Sequence, residues 1–198
     1  MKFMDAMALP GSQRAVFLDR DGTIIRQVDL MHQVSQLRLL PGSAAAIRHL
    51  NEKNVLVVVV TNQPVVARGV ATEREIELVH KELNRRLRAR GAHIDAFYVC
   101  PHHPNATLEQ YRTACPCRKP EPGMILRAAE EHGVDLSRSV MIGDSTQDVL
   151  AGNRAGVHTI LVRTGHGGRD PWQYQCLPDW TANNLLEAAY VWMEANGL

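Results

Sequence analysis

Val55-Leu56-Val57-Val58-Val59-Val60 is an unbroken apolar run rich in β-branched side chains. A strand without polar alternation has to be covered on both faces, which points to a parallel sheet held between helices. Residues 15–18, 94–99, 140–143 and 159–162 read as further strands, so five are expected. Between them lie helical patterns at 43–54, 72–90, 123–132 and 148–155, the second opened by a capping pair, Thr72 and Glu75. The alternation predicts βαβ units in a three-layer, Rossmann-like α/β fold that binds ligands at the carboxyl ends of its strands. Asp19, Thr61 and Asp144 would all stand at that edge.

A chain of 198 residues is long enough for one core. A single domain is therefore expected over 1–198, with its core at about 15–165 and a tail at 166–198 that ends in a helix near 183–196. The formal charge is +1 and the basic residues are scattered among acidic ones, so no nucleic-acid partner is expected and a small anionic substrate fits better. The longest apolar run falls far short of the roughly 20 residues that span a bilayer, so no membrane partner is expected. Residues 1–14 lack the apolar block of a secretory leader, and cytoplasmic residence is the expectation. Cys100, Cys115 and Cys117 cluster while Cys176 stands alone, a pattern that suits a reducing compartment better than a disulfide framework.

Asp19 and Asp21 follow the first strand directly, and Gly22 lets the chain turn so that both carboxylates can face one site. One can attack phosphorus and form an acyl phosphate that water later cleaves, while the other manages protons. A capped, solvated turn would carry the same residues. Thr61 ends the second long strand and can donate to a phosphate oxygen, with Asn62 beside it. Lys119, stiffened by Pro120 and Pro122, offers a point charge to phosphate. Asp144 follows a fourth apolar strand, where it can act either as a helix cap or, with Asp19, as part of an oxygen-rich Mg²⁺ site.

In this order, Asp-x-Asp-Gly-Thr, strand-Thr-Asn, Lys-Pro and Gly-Asp-x-x-x-Asp resemble the haloacid dehalogenase superfamily of phosphatases over residues 15 to about 165. The resemblance implies Asp19 as nucleophile, Asp21 as general acid/base, and Thr61 and Lys119 as the groups that hold the transferring phosphoryl. It implies Mg²⁺ on Asp19, the Asp21 carbonyl and Asp144, with Asp148 ordering the site. The short spacers leave no room for a separate cap domain.

Cys100-Pro101-His102 and Cys115-Pro116-Cys117 supply three thiols and an imidazole, the donor set of a closed tetrahedral Zn²⁺ site, with His103 as a competing imidazole. Zinc would pin the loop at about 100–117 just ahead of Arg118 and Lys119, a structural role. This is similar to a zinc-loop branch of the superfamily that contains heptose bisphosphate 7-phosphatases and histidinol-phosphate phosphatases, in which the matching ligands are Cys100, His102, Cys115 and Cys117. The words Cys-Arg-Lys-Pro-x-Pro-Gly-Met (117–124), Ala-Arg-Gly (67–69) and Cys-Pro-His-His-Pro (100–104) look like the heptose enzymes.

That likeness implies removal of the 7-phosphate of D-glycero-D-manno-heptose 1,7-bisphosphate, on the route to activated heptose for lipopolysaccharide or another surface glycan. The substrate would be a small phosphorylated sugar. Arg118 would reach its second phosphate or hydroxyls, while Asn62, Gln63 and the loop Gln27-Val28-Asp29-Leu30 would supply further contacts. Pro64-Val65-Val66, Ile25 and Ser145 depart from the residues usual in those enzymes. Histidinol phosphate or another small phosphomonoester is the alternative substrate, and a non-catalytic, zinc-pinned binding module is the remaining reading. A monomer is expected, with Trp172, Tyr174 and Trp180 as packing residues.

Overall fold

The structure is a computed structural model that describes residues 13–198. The leader expectation concerns residues 1–14, of which 1–12 lie outside the described residues. Six parallel strands make one sheet: β1 (Ala15–Leu18), β2 (Leu56–Asn62), β3 (Ala96–Cys100), β4 (Val140–Gly143), β5 (His158–Val162) and β6 (Trp180–Ala182), in the order β3-β2-β1-β4-β5-β6. Leu18 pairs with Val59 on one side and Ile142 on the other, and β2 runs on past Val59 to Asn62. Asp19 just after β1, Thr61 near the end of β2 and Asp144 just after β4 thereby reach one edge.

Period-two alternation distributes each strand between two cores. Val16, Leu18, Val57 and Val59 pack with Ala46, Ile47 and Leu50 of α1 (Ser43–Glu52), and with the buried faces of α3 (Glu73–Arg88) and α6 (Leu185–Ala195). Ala15, Phe17, Val58, Val60 and Met141 face the opposite way, onto α4 (Gly123–His132) and α5 (Thr146–Ala155). A four-residue helix, α2 (Pro64–Ala67), follows β2 directly. The result is the expected three-layer α/β architecture, and each fully buried Val, Leu or Ile contributes roughly 1.5–3 kcal/mol.

The sheet has one strand more than the five read from sequence. β6 is three residues long, too short to display a period, and its Trp180 lies against His158 with ring centroids 5.4 Å apart. Nor is the chain beyond Gly165 an appendage: Leu185, Ala188, Ala189 and Trp192 of α6 are buried in the same core as β1 and α1. Helix starts follow their caps. Thr72 and Glu75 form the anticipated capping box of α3, with Thr72 N donating to Glu75 Oε2 at 2.7 Å. At α5 the cap is Ser145 and its box partner is Asp148, so the helix begins two residues earlier than the apolar pattern indicated. Among the described residues, no helix is long and apolar enough to cross a membrane.

Candidate active site

The carboxyl ends of β1, β2 and β4 open into a cavity of about 460 Å³ lined by Asp19, Asp21, Thr61, Asn62, Arg118 and Asp144, among others. Lys119 sits beneath them, almost wholly buried, with Nζ 2.7 Å from Asp19 Oδ1 and 2.6 Å from Asp148 Oδ1. Burial raises the Asp19 carboxyl to about 7 even with Lys119 pulling it down. Burial, and then the charges of Asp19 and Asp148, push Asp144 up to about 9. For Lys119, burial opposes the ammonium, but Asp148 and Asp19 outweigh it and hold its pKa above the usual lysine range.

Asp19, Asp144 and Asp148 bring carboxylate oxygens within 4.8 Å of one another. Three buried carboxylates against one ammonium form an all-oxygen, negatively charged pocket, the environment a hard divalent cation such as Mg²⁺ fits. Gly22 and Gly165, both at positive φ, pack against the Asp144 carboxylate so closely that a side chain at either position would collide with it. His166 N donates to Asp144 Oδ2 at 2.6 Å and fixes that oxygen. Asp148 Oδ2 instead accepts from Ser145 N and Oγ at 3.1 and 2.6 Å, so one carboxylate caps α5 and pairs with Lys119 together.

A second cluster joins Cys100, His102, Cys115 and Cys117, whose donor atoms also lie within 4.8 Å of one another. His102 presents Nδ1, 3.8 Å from Cys100 Sγ and 3.9 Å from Cys117 Sγ. The competing imidazole is turned away: His103 Nδ1 accepts from Asn105 N at 3.0 Å, and His103 lines the catalytic cavity instead. Three sulfurs and one nitrogen converging from a strand end and a Pro-stiffened loop match the donor set of structural zinc. The thiols perturb one another. A hydrogen bond with Cys117 draws Cys100 down, and the same bond together with burial pushes Cys117 up. From this loop Arg118 donates Nη1 to His102 O at 3.0 Å and reaches the cavity wall.

A HAD-hydrolase-like family model matches residues 116–188. The D-glycero-beta-D-manno-heptose-1,7-bisphosphate 7-phosphatase of Photorhabdus laumondii is 42% identical over 76% of this chain and 81% of its own length. The chain belongs to the haloacid dehalogenase-like phosphatases. The Escherichia coli K12 protein of the same name is 38% identical over 87% of this chain and 90% of its own. The crystal structure of D,D-heptose 1,7-bisphosphate phosphatase from B. bronchiseptica, complexed with magnesium and phosphate, superimposes with a TM-score of 0.83 at 31% identity, covering 92% of this chain and 99% of that one.

In this phosphatase the expected substrate-contact residues Gln27, Val28, Asp29 and Leu30 line the cavity together with Asn62 and Gln63. The amides of the last two are engaged within the protein. Asn62 Oδ1 accepts from Lys119 N and Asn62 Nδ2 donates to Lys119 O, both at 3.0 Å, so Asn62 holds the loop that delivers the lysine. Gln63 Nε2 donates to Thr61 Oγ1 at 2.9 Å and to Asp21 Oδ2 at 3.0 Å.

Gln147, His166 and Trp172 also line the cavity, and no motif in the sequence announced them; Arg68, from the Ala-Arg-Gly word, joins them there. Trp172, expected to pack internally, is 45% exposed and lies edge-on to His166. It is carried there by Asp170, fully buried, which accepts from Thr146 N and Thr146 Oγ1 at 2.6 Å each and ties the segment after β5 to the start of α5.

Proposed function

We propose that the chain removes the 7-phosphate of D-glycero-D-manno-heptose 1,7-bisphosphate through an aspartyl-phosphate intermediate. The observation that carries the chemistry is the convergence of Asp19, Asp21, Thr61 and Asp144 on one cavity above the buried Lys119. The heptose is supported by the names and the extent of the relatives.

Lys119 holds Asp19 Oδ1, which leaves the other oxygen of Asp19 to attack phosphorus. As the bond from phosphorus to the sugar oxygen breaks, Asp21 delivers its proton to the leaving alkoxide. Asp21, now a carboxylate, takes a proton from the water that attacks the acyl phosphate. Inorganic phosphate leaves, Asp19 is restored and Asp21 is again protonated. Thr61 and Lys119 offer donors to the phosphoryl oxygens as charge develops on them. Asp19, the Asp21 carbonyl and Asp144 would hold Mg²⁺, which when bound offsets repulsion between the phosphate and the carboxylates.

Cys100, His102, Cys115 and Cys117 would hold Zn²⁺ in a closed, structural site that sets Arg118 at the cavity wall to meet the second phosphate. The chain acts as a single-domain monomer in the cytoplasm, where its thiols stay reduced, and supplies heptose for activation and surface-glycan assembly. The test is kcat/KM with Mg²⁺ for the β-anomer of the bisphosphate against histidinol phosphate. Selective release of the 7-phosphate supports the assignment, whereas preference for histidinol phosphate, or no release from either, overturns it.

A further inference from the structure

Arg20 stands between the two catalytic aspartates and is wholly buried. A guanidinium without water needs a protein partner for each face of its fork. Nε and Nη2 both donate to Asp21 Oδ2, at 3.0 and 2.7 Å, and Nη2 also donates to Gln63 Oε1 at 2.9 Å. The remaining nitrogen, Nη1, lies 3.0 Å from His80 Nε2. Arginine has no acceptor, so His80 presents the Nε2 lone pair and carries its proton on Nδ1. Burial, and then the Arg20 charge, hold His80 down at about 3, so the ring stays neutral.

His80 belongs to α3 and not to the strand ends that carry the chemistry. Its ring is stacked on Phe97 of β3, with centroids 4.7 Å apart and planes 16° apart, so its orientation is set from outside the site. The consequence appears at Asp21. Oδ2 takes the donors from Arg20 and Gln63, while Oδ1 is buried with no partner in the protein.

We propose that His80 is a positioning residue for the proton-transfer step: it anchors Arg20 Nη1, and the anchored guanidinium clamps Asp21 by Oδ2 and so fixes the carboxyl group at the cavity wall, with Oδ1 left free of any protein partner. The proposal rests on Asp21 as the general acid/base. His80 touches neither substrate nor metal ligand and acts through Arg20.

The test exploits leaving-group chemistry. A sugar alkoxide needs a proton as it departs, whereas the aryl oxide of p-nitrophenyl phosphate leaves without one. The quantity to read is kcat/KM, because it reports only events up to leaving-group departure. His80→Phe keeps the ring on Phe97 but removes the acceptor. It should lower kcat/KM for the heptose bisphosphate about 10–100-fold while changing that for p-nitrophenyl phosphate less than about 3-fold, and His80→Gln, which restores an acceptor, should recover most of the loss.

If His80→Phe fails to fold, His80→Ala with added imidazole carries the same test, since His80 lines an open groove beside α3 through which imidazole can enter. Equal losses on both esters, no loss at all, or no recovery with Gln or imidazole would overturn the proposal. Asp21→Asn assayed alongside separates the two layers. If it too fails to discriminate between the esters, the role of Asp21 falls; if it discriminates and the His80 variants do not, only the role of His80 falls.

Discussion

Replacing Lys119 with Met would expose the electrostatics of this site most clearly. The ammonium lies 2.7 Å from Asp19 Oδ1 and 2.6 Å from Asp148 Oδ1, with Asp144 in the same cluster. Removing one partner of a buried ion pair costs about 3–5 kcal/mol because the other charge is left uncompensated. Methionine fills much of the same volume, so little of that loss is cavity. At roughly 2–4 °C per kcal/mol for a chain of this size, the unfolding midpoint in buffer without added Mg²⁺ at pH 8 should drop by about 6–20 °C.

The drop should depend on pH with a definite sign. Folding raises the Asp19 and Asp144 carboxyls to about 7 and about 9, so their contribution to stability is present at acid pH and lost as pH rises through those values. At pH 5 both carboxyls already carry protons in the folded state, and the missing ammonium has less charge to neutralise. Thermal unfolding followed by circular dichroism at pH 5 and pH 8 gives the comparison. A midpoint within about 2 °C of wild type at both pH values, or an equal deficit at both, would refute the reasoning.

Mg²⁺ and protons compete for the same carboxylates, so apparent Mg²⁺ affinity should rise between pH 6 and pH 9 with proton release on binding; calorimetry in buffers of different ionisation enthalpy measures both, and pH-independent binding contradicts it. Elemental analysis should find about one zinc per chain, lost in Cys115→Ser together with thermal stability; an unchanged melting point in a zinc-free variant would refute a structural role.

Much of the site was legible because its residues adjoin strand ends. Asp19, Thr61 and Asp144 each follow an apolar run, and parallel register brings such ends to one edge. Lys119 was legible through the prolines around it. The choice between His102 and His103 was not, because adjacent residues differ only in the direction the backbone gives them. His80 carries no local signal, since a histidine on the apolar face of a helix looks like packing until Arg20 arrives from β1. Asp170 was hidden similarly, as its partner Thr146 lies 24 residues before it. Asn62 and Gln63 show the reverse limit: their place at the cavity was readable, but not that their amides point to Lys119, Thr61 and Asp21.

The central claim is that Asp19 carries the phosphoryl group. Acid quenching during turnover of the heptose bisphosphate with Mg²⁺, then borohydride reduction and peptide mass spectrometry, reads this directly, because reduction converts an acyl phosphate on aspartate to homoserine. Homoserine at position 19, formed only with substrate and absent from Asp19→Asn, is the predicted result. Modification at another residue, or phosphate release by Asp19→Asn at the wild-type rate, would contradict it.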